Sequence, residues 1–107
     1  MPHAPKHLQL KTRQWWMDVV KKHRLTEPQR HILTLAGEAW DRSAQARRVL
    51  ERDGLVFLDR FGQPRPRPEV MIEKEAKVLF AKLLKELRID EEILPEWLNK
   101  LKINSAK

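Results

Sequence analysis

Apolar residues recur with helical period over most of this chain, and the exceptions fall where the chain has turn chemistry. Thr12 is a suitable N-cap for a first helix running to about His23. Within it Trp15, Trp16, Val19 and Val20 fall in an arc of about 140°, forming one wide apolar stripe. Lys21, Lys22 and Arg24 crowd its C-terminal end, where cations suit the helix dipole. A second helix starts at Thr26-Glu27-Pro28-Gln29: threonine caps, proline tolerates the first turn, and Gln29 can close a capping box. It is expected to reach Asp53, with Gly54 as a positive-φ terminator. At about 1.5 Å per residue it is roughly 40 Å long. Ile32, Leu35, Ala36, Ala39, Trp40, Ser43, Ala46 and Leu50 share one of its faces. Arg47 falls inside that stripe and requires a carboxylate, an aromatic face or a route to water.

The period then changes. Leu55-Val56-Phe57-Leu58 is a short apolar run, and Asp59-Arg60-Phe61-Gly62 follows it as a turn, so a β-hairpin is expected over residues 55–68. Its second arm alternates Gln63, Arg65 and Arg67 with Pro64, Pro66 and Pro68. Backbone groups two residues apart face the same side. The non-proline residues can therefore donate toward the first arm, while the prolines block the outer edge against another strand. A third helix begins near Pro68-Glu69 and carries Ile72, Ala76, Leu79, Phe80, Leu83 and Leu87 on one stripe, with Glu73 and Lys77 paired at i,i+4. Its pattern fades around residues 88–90. Ile93, Leu94, Trp97, Leu98 and Leu101 then form a short amphipathic tail over 91–107, which either folds back on the core or docks a partner. The opening residues 1–11 have two prolines and no period, and are expected to be a mobile arm. The expected architecture is mainly α: a bundle of three main helices over residues 12–90, with a hairpin between the second and third.

Charge changes this picture more than composition does. The net charge is +7, and it is unevenly placed. Residues 1–31 set seven Lys/Arg against Asp18 and Glu27 alone, whereas residues 69–107 balance eight of each sign. A basic N-terminal third favours a polyanionic partner. Lys11, Arg13, Lys21, Lys22, Arg24 and Arg30 are the candidate DNA contacts there. Arg65 and Arg67, on one face of a stiff arm, are a candidate phosphate clamp, or else a charged guard on a sheet edge. Val78 and Leu84 lie off the main stripe of the third helix; with Trp40 and Arg47 they are the candidate subunit interface, unless Arg47 is instead spent on an internal ion pair.

Candidate chemistry is sparse. With no cysteine there is no disulfide and no thiolate ligand. His3, His7, His23 and His31 lack the spacing of a metal site. Gly-rich phosphate loops, nucleophile elbows and paired acids are also missing, so no catalytic residue, metal or cofactor is expected. The opening lacks the apolar run of a secretory signal, and no stretch approaches the roughly 20 apolar residues of a membrane span. A cytoplasmic, non-membrane protein is the expectation.

The ordered set Leu25-Thr26-Glu27-Pro28, Ala39-Trp40-Asp41-Arg42, Leu50-Glu51-Arg52-Asp53-Gly54-Leu55 and Asp59-Arg60-Phe61-Gly62-Gln63-Pro64-Arg65-Pro66-Arg67-Pro68, leading into Ile72-Glu73-Lys74-Glu75-Ala76, Phe80 and Leu83-Leu84-Lys85-Glu86-Leu87, resembles the small terminase subunit of tailed bacteriophages and prophages. The similarity covers about residues 12–92. Arg67-Pro68 stands where many members have His-Pro. The resemblance implies a ring-forming homo-oligomer in the host cytoplasm that recognises double-stranded viral DNA. Such a protein delivers the DNA to the large terminase subunit, which holds the ATPase and nuclease. The C-terminal tail would then be the docking element for that motor. Two other readings of the residues stay open: a dimeric helix-turn-helix regulator, and a helical scaffold with no nucleic-acid role.

Overall fold

The structure is a computed structural model that describes residues 2–87. Its elements follow in the order α1 (Leu10–Lys22), α2 (Glu27–Asp53), β1 (Val56–Leu58), β2 (Pro64–Pro66) and α3 (Pro68–Leu87). The mainly helical architecture and the hairpin match expectation. The tail over 91–107 lies outside the described residues.

Helix α2 is the spine. Thr26 caps it as the sequence indicates: its side chain accepts from Gln29 N at 3.3 Å, and Gln29 Oε1 accepts from Thr26 N at 2.8 Å. At the other end Gly54 donates to Leu50 O and holds φ 86 with ψ 175. That conformation is open almost only to glycine, and it sends the chain straight from the helix into β1.

Two faces of α2 are buried, not one. Toward α3 it presents Ala36, Ala39, Ser43, Ala46 and Leu50. Toward α1 its N-terminal half presents Leu33, Gly37 and Asp41. Leu33 is therefore fully buried, while Leu35 is half exposed, correcting its place on the core stripe.

Helix α1 also starts earlier than Thr12. Gln9 is its N-cap residue, without a side-chain cap, and Thr12 is buried in the first turn. Its hydroxyl donates to Asp41 Oδ1 at 2.6 Å, and Gln9 N donates to Asp41 Oδ2 at 2.8 Å. One carboxylate on α2 thus does the work assigned to a local cap. The preceding segment packs as well: Leu8 is buried in the core cluster with Trp16, Val19 and Leu33. An apolar anchor and a shared carboxylate replace the expected free arm.

On α3 the buried ridge is Glu73, Ala76, Phe80, Leu84 and Leu87. It is turned toward Glu73 and Leu84, away from Ile72 and Leu79, both of which are exposed. Two contacts set that rotation. Phe80 lies between Trp15 and Trp40, with ring centroids at 5.7 and 5.5 Å in tilted geometry. Glu73 is drawn inward by Arg47, whose Nε and Nη2 donate to its two oxygens at 2.8 and 2.6 Å.

Candidate nucleic-acid interface

Most of the α1 cations stand on open surface. Lys11, Lys21, Lys22 and Arg24 are exposed and Arg13 is half-buried. Helical spacing puts Lys11 and Lys22 near one line along α1 with Asp18 between them, Lys21 about 80° to one side of that line and Arg13 about 80° beyond Lys21. Arg30 is drawn into structure instead: its Nη1 donates to Leu25 O at 2.9 Å, bracing the α1–α2 turn. The turn holds only four residues, His23 to Thr26, so α1 returns antiparallel along α2 and its basic C-terminal end sits beside the α2 N-terminus.

The hairpin carries the other cations. β1 and β2 pair antiparallel with Val56 opposite Pro66, Phe57 opposite Arg65 and Leu58 opposite Pro64. Asp59 N donates to Gln63 O and Arg67 N donates to Leu55 O, so residues 63 and 67 face the first arm as the alternation requires. Pro64 and Pro66 lie in the alternate pairs, facing outward. Asp59 organises the turn: its Oδ1 accepts from Phe61 N and Gln63 N, and its Oδ2 accepts from Arg65 Nε at 3.1 Å. The Gln63 amide above all, with Arg65 and Phe61 behind it, holds this carboxyl below the usual aspartate range. Gly62 follows with φ 76.

Arg65 and Arg67 differ as phosphate ligands. Arg67 Nε and Nη2 both donate to Asp53 O, at 3.3 and 3.1 Å, satisfying a carbonyl left open at the end of α2. Its guanidinium lies 6.0 Å from the Phe57 ring centroid. The bidentate edge of Arg67 is therefore occupied. Arg65 gives only Nε to Asp59, and its side chain is 61% exposed. A symmetrical two-arginine clamp is replaced by one outward arginine braced by an acid. The hairpin and the α1 C-terminus lie at opposite ends of α2, which at about 1.5 Å per residue separates them by roughly 40 Å. The candidate DNA residues thus form two groups.

Of the interface candidates, Arg47 is an internal pair. Glu73, almost fully buried, accepts from Arg47 and from Lys77 Nζ at 3.0 Å. The Arg47 hydrogen bonds foremost, with Lys77, hold its pKa at about 2 against an ordinary 4.5. Trp40 packs against the core and Phe80. Leu84 is buried in the core cluster, correcting its assignment to a subunit surface, because the rotated ridge carries it inward. Val78 does lie on open surface. It lines a shallow groove on the outer side of α3 with Met71, Lys74, Glu75, Leu79 and Lys82. Met71 was not singled out by the sequence, and Leu79 was assigned to the core. Ile93, Leu94, Trp97, Leu98 and Leu101 lie outside the described residues.

Among the described residues, no group of three His, Cys, Asp or Glu side chains is placed to hold a metal ion. His7 Nε2 meets Glu38 Oε2 at 2.7 Å, and His31 lies 3.9 Å from Glu27. No described helix is long and apolar enough to cross a membrane. Compared with family models, curated proteins and solved structures, the chain matches none of them.

Proposed function

We propose that this chain is a viral DNA-packaging adaptor of the small terminase subunit type: a homo-oligomer, assembling as a ring in the host cytoplasm, that binds double-stranded DNA and passes it to a large motor-nuclease subunit. It is a binding and assembly protein with no catalytic residue of its own.

The observation that carries this reading is the second apolar face of α3. One side of that helix is buried against α2, while Met71, Val78 and Leu79 remain open on other sides. A helix apolar on two sides favours a second partner. In a ring of identical chains that partner is the neighbouring copy. Repetition then multiplies the cations of α1 and of Arg65, each weak alone, into a many-phosphate contact. A helix-turn-helix regulator is the less favoured reading, since α2 runs 27 residues, with its N-terminal half packed on α1 and a second face packed on α3.

Native mass spectrometry together with duplex binding across a salt series tests the proposal. A closed assembly larger than a dimer, with affinity falling steeply as salt rises, is the expected result. A dimer selective for one palindromic site would instead identify the regulator. A monomer indifferent to DNA at low salt would leave only the scaffold.

A further inference from the structure

Among the described residues, the large apolar side chains left exposed fall into two groups, apart from Leu10 and Leu35. One is the hairpin, with Leu55, Val56, Phe57, Leu58 and Phe61. The other is the outer side of α3, where Val70 and Ile72 flank Met71, Val78 and Leu79. Each of these residues is 37–73% exposed. At roughly 150–200 Å² for such a residue when fully exposed, the hairpin group offers about 500 Å² and the α3 group about 400 Å². A monomer rarely shows even one apolar patch of that size without a use for it.

The hairpin is two-sided. Its register sets Val56 opposite Pro66 and Leu58 opposite Pro64, so these four side chains share one face and leave it wholly apolar. Phe57 and Arg65 are paired on the other face, where the Arg67 guanidinium also lies near the Phe57 ring. No residue of either strand is buried. A two-stranded ribbon is marginally stable in water until a further strand or a helix covers its apolar side. Its own chain does not supply that helix. Arg67 alone separates β2 from α3, and one residue, spanning at most about 3.5 Å, cannot swing the ribbon round a helix about 10–12 Å wide. Within one chain both surfaces therefore stay open.

We infer that the apolar face of the hairpin packs into the α3 groove of a second copy, with Val56, Leu58, Pro64 and Pro66 of one chain against Met71, Val78 and Leu79 of the next. The ribbon gains the helix it lacks, and the groove gains its cover. The two groups together hold about 900 Å² of apolar surface. With apolar atoms making up about 60% of an interface, that corresponds to about 1,500 Å² in all, the size of a specific protein–protein contact. The pairing rests on the self-association proposed above and gives it a direction. Each chain carries one surface of each kind, so contacts run head to tail until a ring closes. Arg65, on the opposite face of the ribbon, stays open to solvent in such an assembly.

Complementation between two full-length variants tests the pairing. Leu58→Lys spoils the hairpin face and keeps the groove, whereas Val78→Lys spoils the groove and keeps the hairpin. Both positions are exposed, so each variant should keep the helical circular dichroism of the native chain. In native mass spectrometry each variant alone is expected at the mass of one chain, and their equimolar mixture at the mass of two. The hairpin of the Val78→Lys chain still fits the groove of the Leu58→Lys chain, while at the other end of that pair lysine meets lysine and growth stops. A Leu58→Lys protein that assembles as the native chain does would overturn the pairing and leave self-association standing. A mixture that stays at one chain would do the same. Variants that each stop at two chains on their own would show every surface meeting its own kind, again overturning it. A native chain found only as a monomer would remove the pairing and the self-association reading together.

Discussion

Arg47 and Glu73 join the C-terminal third of α2 to the start of α3 through two parallel hydrogen bonds, and the acid partner is almost entirely out of water while the base is half exposed. Lys77 closes the triad from the next turn of α3. The arrangement lets a carboxylate occupy a core ridge. Its charge is met on both oxygens, and the two cations reach solvent by their far ends.

Acid should therefore weaken the α2–α3 contact in a defined window. The folded pKa of Glu73 lies below its ordinary value, so its contribution is fully present above pH 4.5 and drains away as pH falls toward 2. Solvent screening at Arg47 and Lys77 limits it to about 2 kcal/mol. Urea midpoints measured across that window should fall for the native chain and hold nearly flat for Glu73→Gln. Parallel curves for the two proteins would remove Glu73 from the account.

Removing residues 2–8 should destabilise the protein, although this segment has the composition of a loose arm. Leu8 sits in the core, and Asp41 accepts from both Gln9 and Thr12. Leu8→Ala should cost about 2–4 kcal/mol, and Asp41→Ala about 1–3 kcal/mol through the two stranded donors. Thermal unfolding of each variant decides it. An unchanged midpoint for Leu8→Ala would mean the segment is not part of the folded unit.

These same positions show where the sequence was readable. Capping at Thr26, termination at Gly54 and the proline alternation of residues 63–68 are local chemistry, and each formed as expected. The need of Arg47 for a partner was visible from its place in an apolar stripe, but the identity of Glu73 was not, because it depends on the rotation of a separate helix. Leu33 and Gly37 escaped notice for a related reason. A single stripe was drawn on a helix that packs on both sides, and a glycine in mid-helix looks like a weakness until Leu8 and Thr12 are seen 3.1 Å from where a Cβ would stand. For the candidate site, the sequence located the cations but could not distinguish Arg65, which stands outward, from Arg67, which caps α2.

The hairpin turn should depend on Asp59 more than on any strand residue. Asp59→Ala strands the amides of Phe61 and Gln63 and releases Arg65, and Gly62→Ala forces a side chain into positive φ at about 1–2 kcal/mol. Amide exchange at Gln63 and Arg67 should accelerate in both variants while amides of α2 keep their protection. Since the Asp59 carboxyl titrates below the ordinary aspartate range, the native turn holds at neutral pH and loosens only as pH falls through that lowered value.

Self-association should be separable from folding on α3. Val78→Lys places a charge on the open groove and leaves the buried ridge intact, whereas Leu84→Lys buries a charge in the core. The first variant should keep its helical circular dichroism and lose mass in native spectrometry; the second should fail to fold. A Val78→Lys protein that assembles as the native chain does would show that this face is not the contact between copies.

Duplex binding should distinguish the two basic groups by salt dependence as well as strength. Each phosphate contact removed lowers the slope of log affinity against log salt by about one. Replacing Lys21, Lys22 and Arg24 together by alanine should therefore flatten the slope by up to about three and weaken all duplexes alike, because these are exposed side chains with no built geometry for reading bases. Arg65→Ala should lower the slope by about one. Arg67→Ala should change it little and instead lower stability by about 1 kcal/mol, since its guanidinium is committed to Asp53 O. A larger binding loss from Arg67 than from Arg65 would mean that the α2 end opens on contact with DNA and hands its capping arginine to phosphate.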